Sequence, residues 1–131
     1  MRKDIEIPKV TDIHVAAVRE FSEEHRTWDW NAYLINAKSA PIEMALIVSQ
    51  GYKDEKSTST LRHKLELLPA KSYAKIEFIE DKLLAVNNVF SVTFFMDGTM
   101  YERKFLFPAE SISEKEGVDL PVMKGKGVLA K

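Results

Sequence analysis

The chain has 131 residues, 45% of them hydrophobic and 30% charged, which is enough for one folded domain and too apolar for a disordered one. Its 19 basic and 20 acidic side chains leave a net charge of −1, so composition gives no electrostatic footprint for nucleic acid or an anionic lipid surface. The cysteine count is 0, which excludes disulfides, zinc-thiolate sites and thiol catalysis.

The first stretch, MRKDIEIPKV, is interrupted by Asp4, Glu6 and Pro8 and has no apolar targeting core. No later run approaches the ~18–20 apolar residues of a membrane helix. The expectation is a cytoplasmic protein of a reducing compartment, without membrane association. Residues 2–10 alternate through Ile5 and Ile7 and read as a short edge strand, since Pro8 cannot donate to a ladder. Residues 11–21 admit two readings. Ile13, Val15 and Ala17 alternate as in a strand, while Val15, Val18 and Phe21 also fit helical spacing; the strand-like neighbours favour the strand.

Residues 22–27 form a polar turn. The segment 28–36 then places Trp30, Ala32 and Leu34 on one face and Tyr33 and Ile35 on the other, a pattern suited to a central strand. After a turn ending at Pro41, residues 42–49 alternate, with Ile42, Met44, Leu46 and Val48 expected inward and Glu43 and Ser49 outward. Carrying Glu43 as its only charge, the run 42–48 should be internal to its sheet. A charged loop follows over 52–56. In 57–68, Ser59, Leu61, His63, Leu65 and Leu67 share the apolar face, and Thr58, Thr60, Arg62, Lys64 and Glu66 face out. Residues 73–80 place Ala74, Ile76 and Phe78 inward between Lys75, Glu77 and Ile79, and 81–88 connect onward with one helical turn at 82–84.

Residues 89–107 are two runs of aromatic and β-branched residues joined by Asp97-Gly98, a pair that suits a type I′ turn because both positions need positive φ. Closing the hairpin there pairs Met96 with Thr99, Phe94 with Tyr101, Val92 with Arg103 and Phe90 with Phe105. The resulting aromatic face, extended by Phe107, must meet a second sheet. Beyond Pro108 the chain turns polar and glycine-containing. Residues 111–131 are expected to be mostly irregular and packed on a sheet edge or a partner through Val118, Leu120, Val122 and Met123.

About seven to eight short strands with turn signals between them describe an all-β protein, an antiparallel β-sandwich of immunoglobulin or fibronectin-III-like architecture. Residues 1–110 would form its single domain. A closed barrel is the competing architecture.

Two pieces carry a family resemblance: DWNAYLIN followed by PIEMALIVSQGY, and KSTSTLRHKLELLPAKSYAKIEFIE. Over nearly its whole length the chain resembles a group of short bacterial β-sandwich proteins, some of which carry the label phenylalanyl-tRNA synthetase alpha subunit. The resemblance implies a sandwich and no particular chemistry. A synthetase core would require ATP-binding arginines in defined strands of a longer α/β domain, and no stretch here has that pattern. No synthetase residue is carried onto this chain.

His14, His25 and His63 lack metal-ligand spacing, and no metal or cofactor is indicated. There is no phosphate-binding glycine loop, no dinucleotide fingerprint and no nucleophile elbow. The most suggestive polar stretch is STSTLRHK, whose Thr58, Thr60, Arg62 and Lys64 would project from one strand face and could hold an anion or a phosphate backbone. An ordinary solvated strand face has the same appearance. Trp28, at a strand start, and Tyr52 are candidates for aromatic recognition of a partner, a sugar or a base. The functional expectation is a non-catalytic binding or protein-interaction module with an unknown protein partner or self-association. The alternative is a nucleic-acid-associated, RNA-binding protein using Arg62, Lys64 and the basic tail, and a small hydrolase is more distant.

Overall fold

The computed structural model describes residues 9–58 and 60–131. The edge strand expected over residues 2–10 lies for the most part outside the described residues, as does Ser59. The described residues form ten strands: β1 (Ile13–Ser22), β2 (Thr27–Asn36), β3 (Ile42–Lys53), β4 (Lys56–Ser57), β5 (Leu61–Leu68), β6 (Ser72–Ile79), β7 (Asn87–Met96), β8 (Thr99–Phe107), β9 (Val118–Asp119) and β10 (Lys126–Leu129). Short 3-10 turns occupy Asp81–Ala85 and Glu114–Glu116. The count exceeds the expected seven to eight because the 57–68 stretch divides into β4 and β5 and the C-terminal segment adds β9 and β10. The ambiguous 11–21 stretch is strand: β1 pairs with β2 without interruption from Ile13 opposite Asn36 to Ser22 opposite Thr27. A ladder on this scale overrides the weak local helix preference of its alanines.

The strands build two antiparallel five-stranded sheets. The first has the order β6-β2-β1-β10-β9; in the second, β3 pairs with β4 and β5 on one side and with β7, then β8, on the other. The run 42–48 is therefore internal to its sheet. One apolar core draws Val15, Ala17, Ala32 and Leu34 from the first sheet and Ile42, Ile47, Phe90, Phe94, Phe105 and Phe107 from the second. Each of the larger side chains among them contributes about 1.5–3 kcal/mol on full burial. The β7–β8 hairpin has the expected register at all four pairs, with Asp97 and Gly98 at φ 52° and 77°. Arg103, the charged member of the aromatic face, lays its guanidinium 4.4 Å from the centre of the Phe105 ring.

Two expected faces are inverted, each by a bulge. Between Glu43 and Leu46, β3 advances three residues while β7 advances two, with Met44 at φ 49° absorbing the extra residue. Ile42, ahead of the bulge, is buried as expected; beyond it Ala45, Ile47 and Ser49 point inward, and Met44 and Leu46, expected inside, are exposed. Leu67 is carried outward with them, and Leu68 takes the buried position. In β6 the pairing slips between Ala32 opposite Glu77 and Tyr33 opposite Lys75. Ile76 is buried as expected, but Ile79 is buried in place of Phe78, which was expected inside and is exposed.

The C-terminal segment serves both sides of the first sheet. β10 extends it by pairing with β1, and Leu120 and Met123 pack with Ala16, Val18 and Ile35 on its outer face. Val118 and Val122 stay exposed. Past β10, Ala130 donates to the Val15 carbonyl, and Lys131 exchanges two backbone hydrogen bonds with Leu106 of β8. These bonds tie one open side of the molecule together.

Candidate binding sites

Beyond the area covered by the C-terminal segment, the outer face of the first sheet opens into a cleft of about 630 Å³. Strand alternation sends Glu20 of β1, Asn31 and Tyr33 of β2, and Lys75 and Phe78 of β6 to this face, while Ala32 and Leu34 face the core. Glu20 Oε1 accepts a hydrogen bond from Asn31 Nδ2 at 2.8 Å and another from Tyr33 Oη at 2.8 Å. Two donors on one oxygen fix the carboxylate's orientation. Burial and, after it, the hydrogen bond and the charge of Glu20 push the Tyr33 pKa well above the ordinary tyrosine value. The β1–β2 turn closes one end, with His25 and Thr27 on the lining. Its backbone is held by Arg26 N donating to Ser22 O at 2.7 Å, and Thr27 Oγ1 donates to Asp29 Oδ1 at 3.0 Å. The charged lining of Glu20, Glu24, Asp29 and Lys75 is net acidic, and Phe78 supplies an exposed apolar wall.

A second polar cluster joins the two sheets at their β5 and β6 edges. The Glu77 side chain, only 7% exposed, accepts a hydrogen bond at Oε1 from Ser49 Oγ at 2.7 Å, and His63 Nε2 lies 2.9 Å from the same oxygen. Sequence alternation assigns Ser49 and Glu77 to outward faces; the two bulges bring both inside. Nucleophile activation needs the imidazole between serine and carboxylate. Here the carboxylate is in the middle and the serine hydroxyl is committed to it, so the arrangement acts as a tie between the sheets. His14, half-buried on β1, has its pKa lowered by burial, against the pull of Asp12 and with a further contribution from Arg103. Among the described residues no three histidine, aspartate or glutamate side chains converge to hold a metal ion.

The six residues singled out from the sequence do not form one site. Thr58 Oγ1 accepts from Gly51 N at 2.8 Å, and Gln50 Nε2 donates to Thr58 O at 3.3 Å and to Thr60 Oγ1 at 3.2 Å. These bonds hold the β4–β5 connection against β3. Arg62 and Lys64 project from β5 on the outer face of the second sheet, opposite Val48 and Leu46. Tyr52 lies at the end of β3 and shares a shallow depression with Thr58 and Val86. Trp28 is on the other sheet, 58% exposed, edge-on to Phe21 at 5.5 Å and with the Arg19 guanidinium 5.1 Å from its ring centre. Sequence reasoning missed Glu20, Asn31 and Tyr33. Their signal was Asn31, a polar residue between Trp30 and Ala32 in a central strand.

Among the described residues no helix is long and apolar enough to cross a membrane. Comparisons with family models, with curated proteins and with solved structures gave no match.

Proposed function

We propose that this protein is a non-catalytic binding module on an immunoglobulin-like sandwich, and that its first-sheet cleft takes a small ligand presenting hydrogen-bond donors beside an apolar body. The observation that carries this reading is the Glu20 carboxylate, oriented by Asn31 and Tyr33 next to the exposed Phe78 ring. Such a carboxylate accepts from an amine or from hydroxyls, and the ring covers the apolar part of the ligand. The order of groups at Ser49, Glu77 and His63 supports a non-catalytic role. Nucleic-acid association through Arg62 and Lys64 has weaker support, because Glu43 and Glu102 share their face.

The test is an amide chemical-shift titration of the full chain with a panel of primary amines and a panel of saccharides. Shifts at Asn31, Tyr33, Lys75 and Phe78 with one panel, lost in Glu20→Gln, are the expected result, and the active panel identifies the donor. Silence at these residues with both panels would remove the cleft from the proposal. RNA binding that falls steeply with salt and vanishes in Arg62→Ala would replace it.

A further inference from the structure

The outer faces of the two sheets are treated differently by the chain. The first is partly covered by Leu120 and Met123, whereas the described residues leave the second uncovered. On that second face Met44, Leu46, Leu67, Phe95 and Met100 are 39–55% exposed. The ladder makes them neighbours. Leu67, Glu43, Phe95 and Met100 form one row across β5, β3, β7 and β8, and Lys64, Leu46, Thr93 and Glu102 form the next. Met44, the bulge residue, is next to Glu43 on β3. Five large apolar side chains gathered on one sheet face mark a contact surface.

The charges indicate what covers it. Lys64 and Glu102 sit in the same row on opposite borders of the sheet, β5 and β8, and neither makes an ion pair within the described residues. A two-fold axis parallel to the strands and passing between β3 and β7 lays β5 of one copy over β8 of the other. Each Lys64 then meets the partner copy's Glu102, twice by symmetry, with Leu67 against Met100, Leu46 against Thr93 and Glu43 at the edge of the Phe95 ring. Self-complementarity of this kind is the requirement of an isologous dimer. One row further, Arg62 and Lys104 would face each other with like charge, so the contact ends there. We infer that the outer face of the second sheet is the interface of a symmetric homodimer, with a second copy of this chain as its occupant.

Sedimentation equilibrium of the full chain over a wide concentration range tests the inference. The expected result is a reversible monomer–dimer equilibrium. Lys64→Glu and Glu102→Lys, each alone, should weaken it about tenfold, because two attractive contacts become repulsive in each dimer. The double variant Lys64→Glu/Glu102→Lys should restore it, and Phe95→Glu, which sets a like charge against Glu43 of the other copy, should abolish it. All these positions are at the surface, and the charge swap reports on the interface even if Phe95→Glu impairs folding. A monomer at every concentration would overturn the inference. So would a dimer indifferent to the single charge reversals, or one that the double variant fails to recover; either result would leave the face to a different protein.

Discussion

At the residue scale, the most informative side chain is Tyr33, because its hydroxyl is held protonated by the same carboxylate that defines the cleft. Its folded-state pKa is raised, first by burial and then by the hydrogen bond to Glu20. The sign of the linkage follows. Below about pH 10, the ordinary tyrosine value, both folded and unfolded chains keep the proton and the stabilisation is fully present. Above it the unfolded chain releases the proton while the folded chain retains it, so stability falls as pH rises toward the folded-state value. Tyr33→Phe should cost about 1 kcal/mol at neutral pH, the worth of one hydrogen bond. It should also flatten the decline in melting temperature from neutral pH into the alkaline range. Equal alkaline declines in the two proteins would mean that the Tyr33 hydroxyl is not held as described. The cleft was half legible in the sequence. The β2 alternation assigns Tyr33 correctly to the face opposite Ala32 and Leu34, but that Glu20 would share this face depended on whether residues 11–21 form a strand or a helix.

At the scale of elements, the hairpin and the bulges show what strand alternation can and cannot deliver. Asp97-Gly98 fixes a turn type, the turn type fixes the register, and all four expected pairs are present. Gly98 has open space around the position of a Cβ but sits at φ 77°, so Gly98→Val is disfavoured by backbone conformation and not by a clash. It should lower stability by about 1–2 kcal/mol in chemical denaturation, and an unchanged midpoint would contradict the turn. The β3 and β6 faces were illegible for the converse reason. A bulge shifts the period by one residue, and no residue type in Glu43-Met44-Ala45 or Lys75-Ile76-Glu77 announces it, since neither stretch contains the glycine that often marks one. One extra residue exchanges the two faces of everything beyond it. Ser49 and Glu77 came inside by that route, and Met44, Leu46 and Phe78 came outside. The cross-sheet tie and both proposed contact surfaces therefore lie where the simple pattern fails.

At the scale of the molecule, the two sheets need closure on both open sides, and the chain supplies it by different means. At the β5 and β6 edges the closure is polar, through Ser49, Glu77 and His63. At the other side the C-terminal segment does it with backbone: β10 lies beside β1, and Lys131 exchanges hydrogen bonds with Leu106 of β8. The fit there is close. A Cβ on Gly127 would stand 2.8 Å from the Ala17 carbonyl oxygen, so β10 packs against β1 without room for a side chain. The sequence shows that the apolar residues of this segment need cover, but two glycines between lysines gave no sign of a strand, because β10 is specified by the edge of β1 and not by its own propensity. Truncation after Pro108 would strip β1 of a hydrogen-bonded neighbour and uncover Ala16, Val18 and Ile35. It would also remove the buried side chains of Ile112, Leu120, Met123 and Val128. At about 1.5–3 kcal/mol for a fully buried large apolar side chain, that loss is comparable to the whole stability of a domain, about 5–15 kcal/mol. The truncated chain should be largely unfolded or aggregated, with the exposed β1 edge as the point of association. Circular dichroism melting and sedimentation velocity decide the matter: a truncated protein that stays monomeric and melts at the temperature of the full chain would show that the first sheet closes without β10.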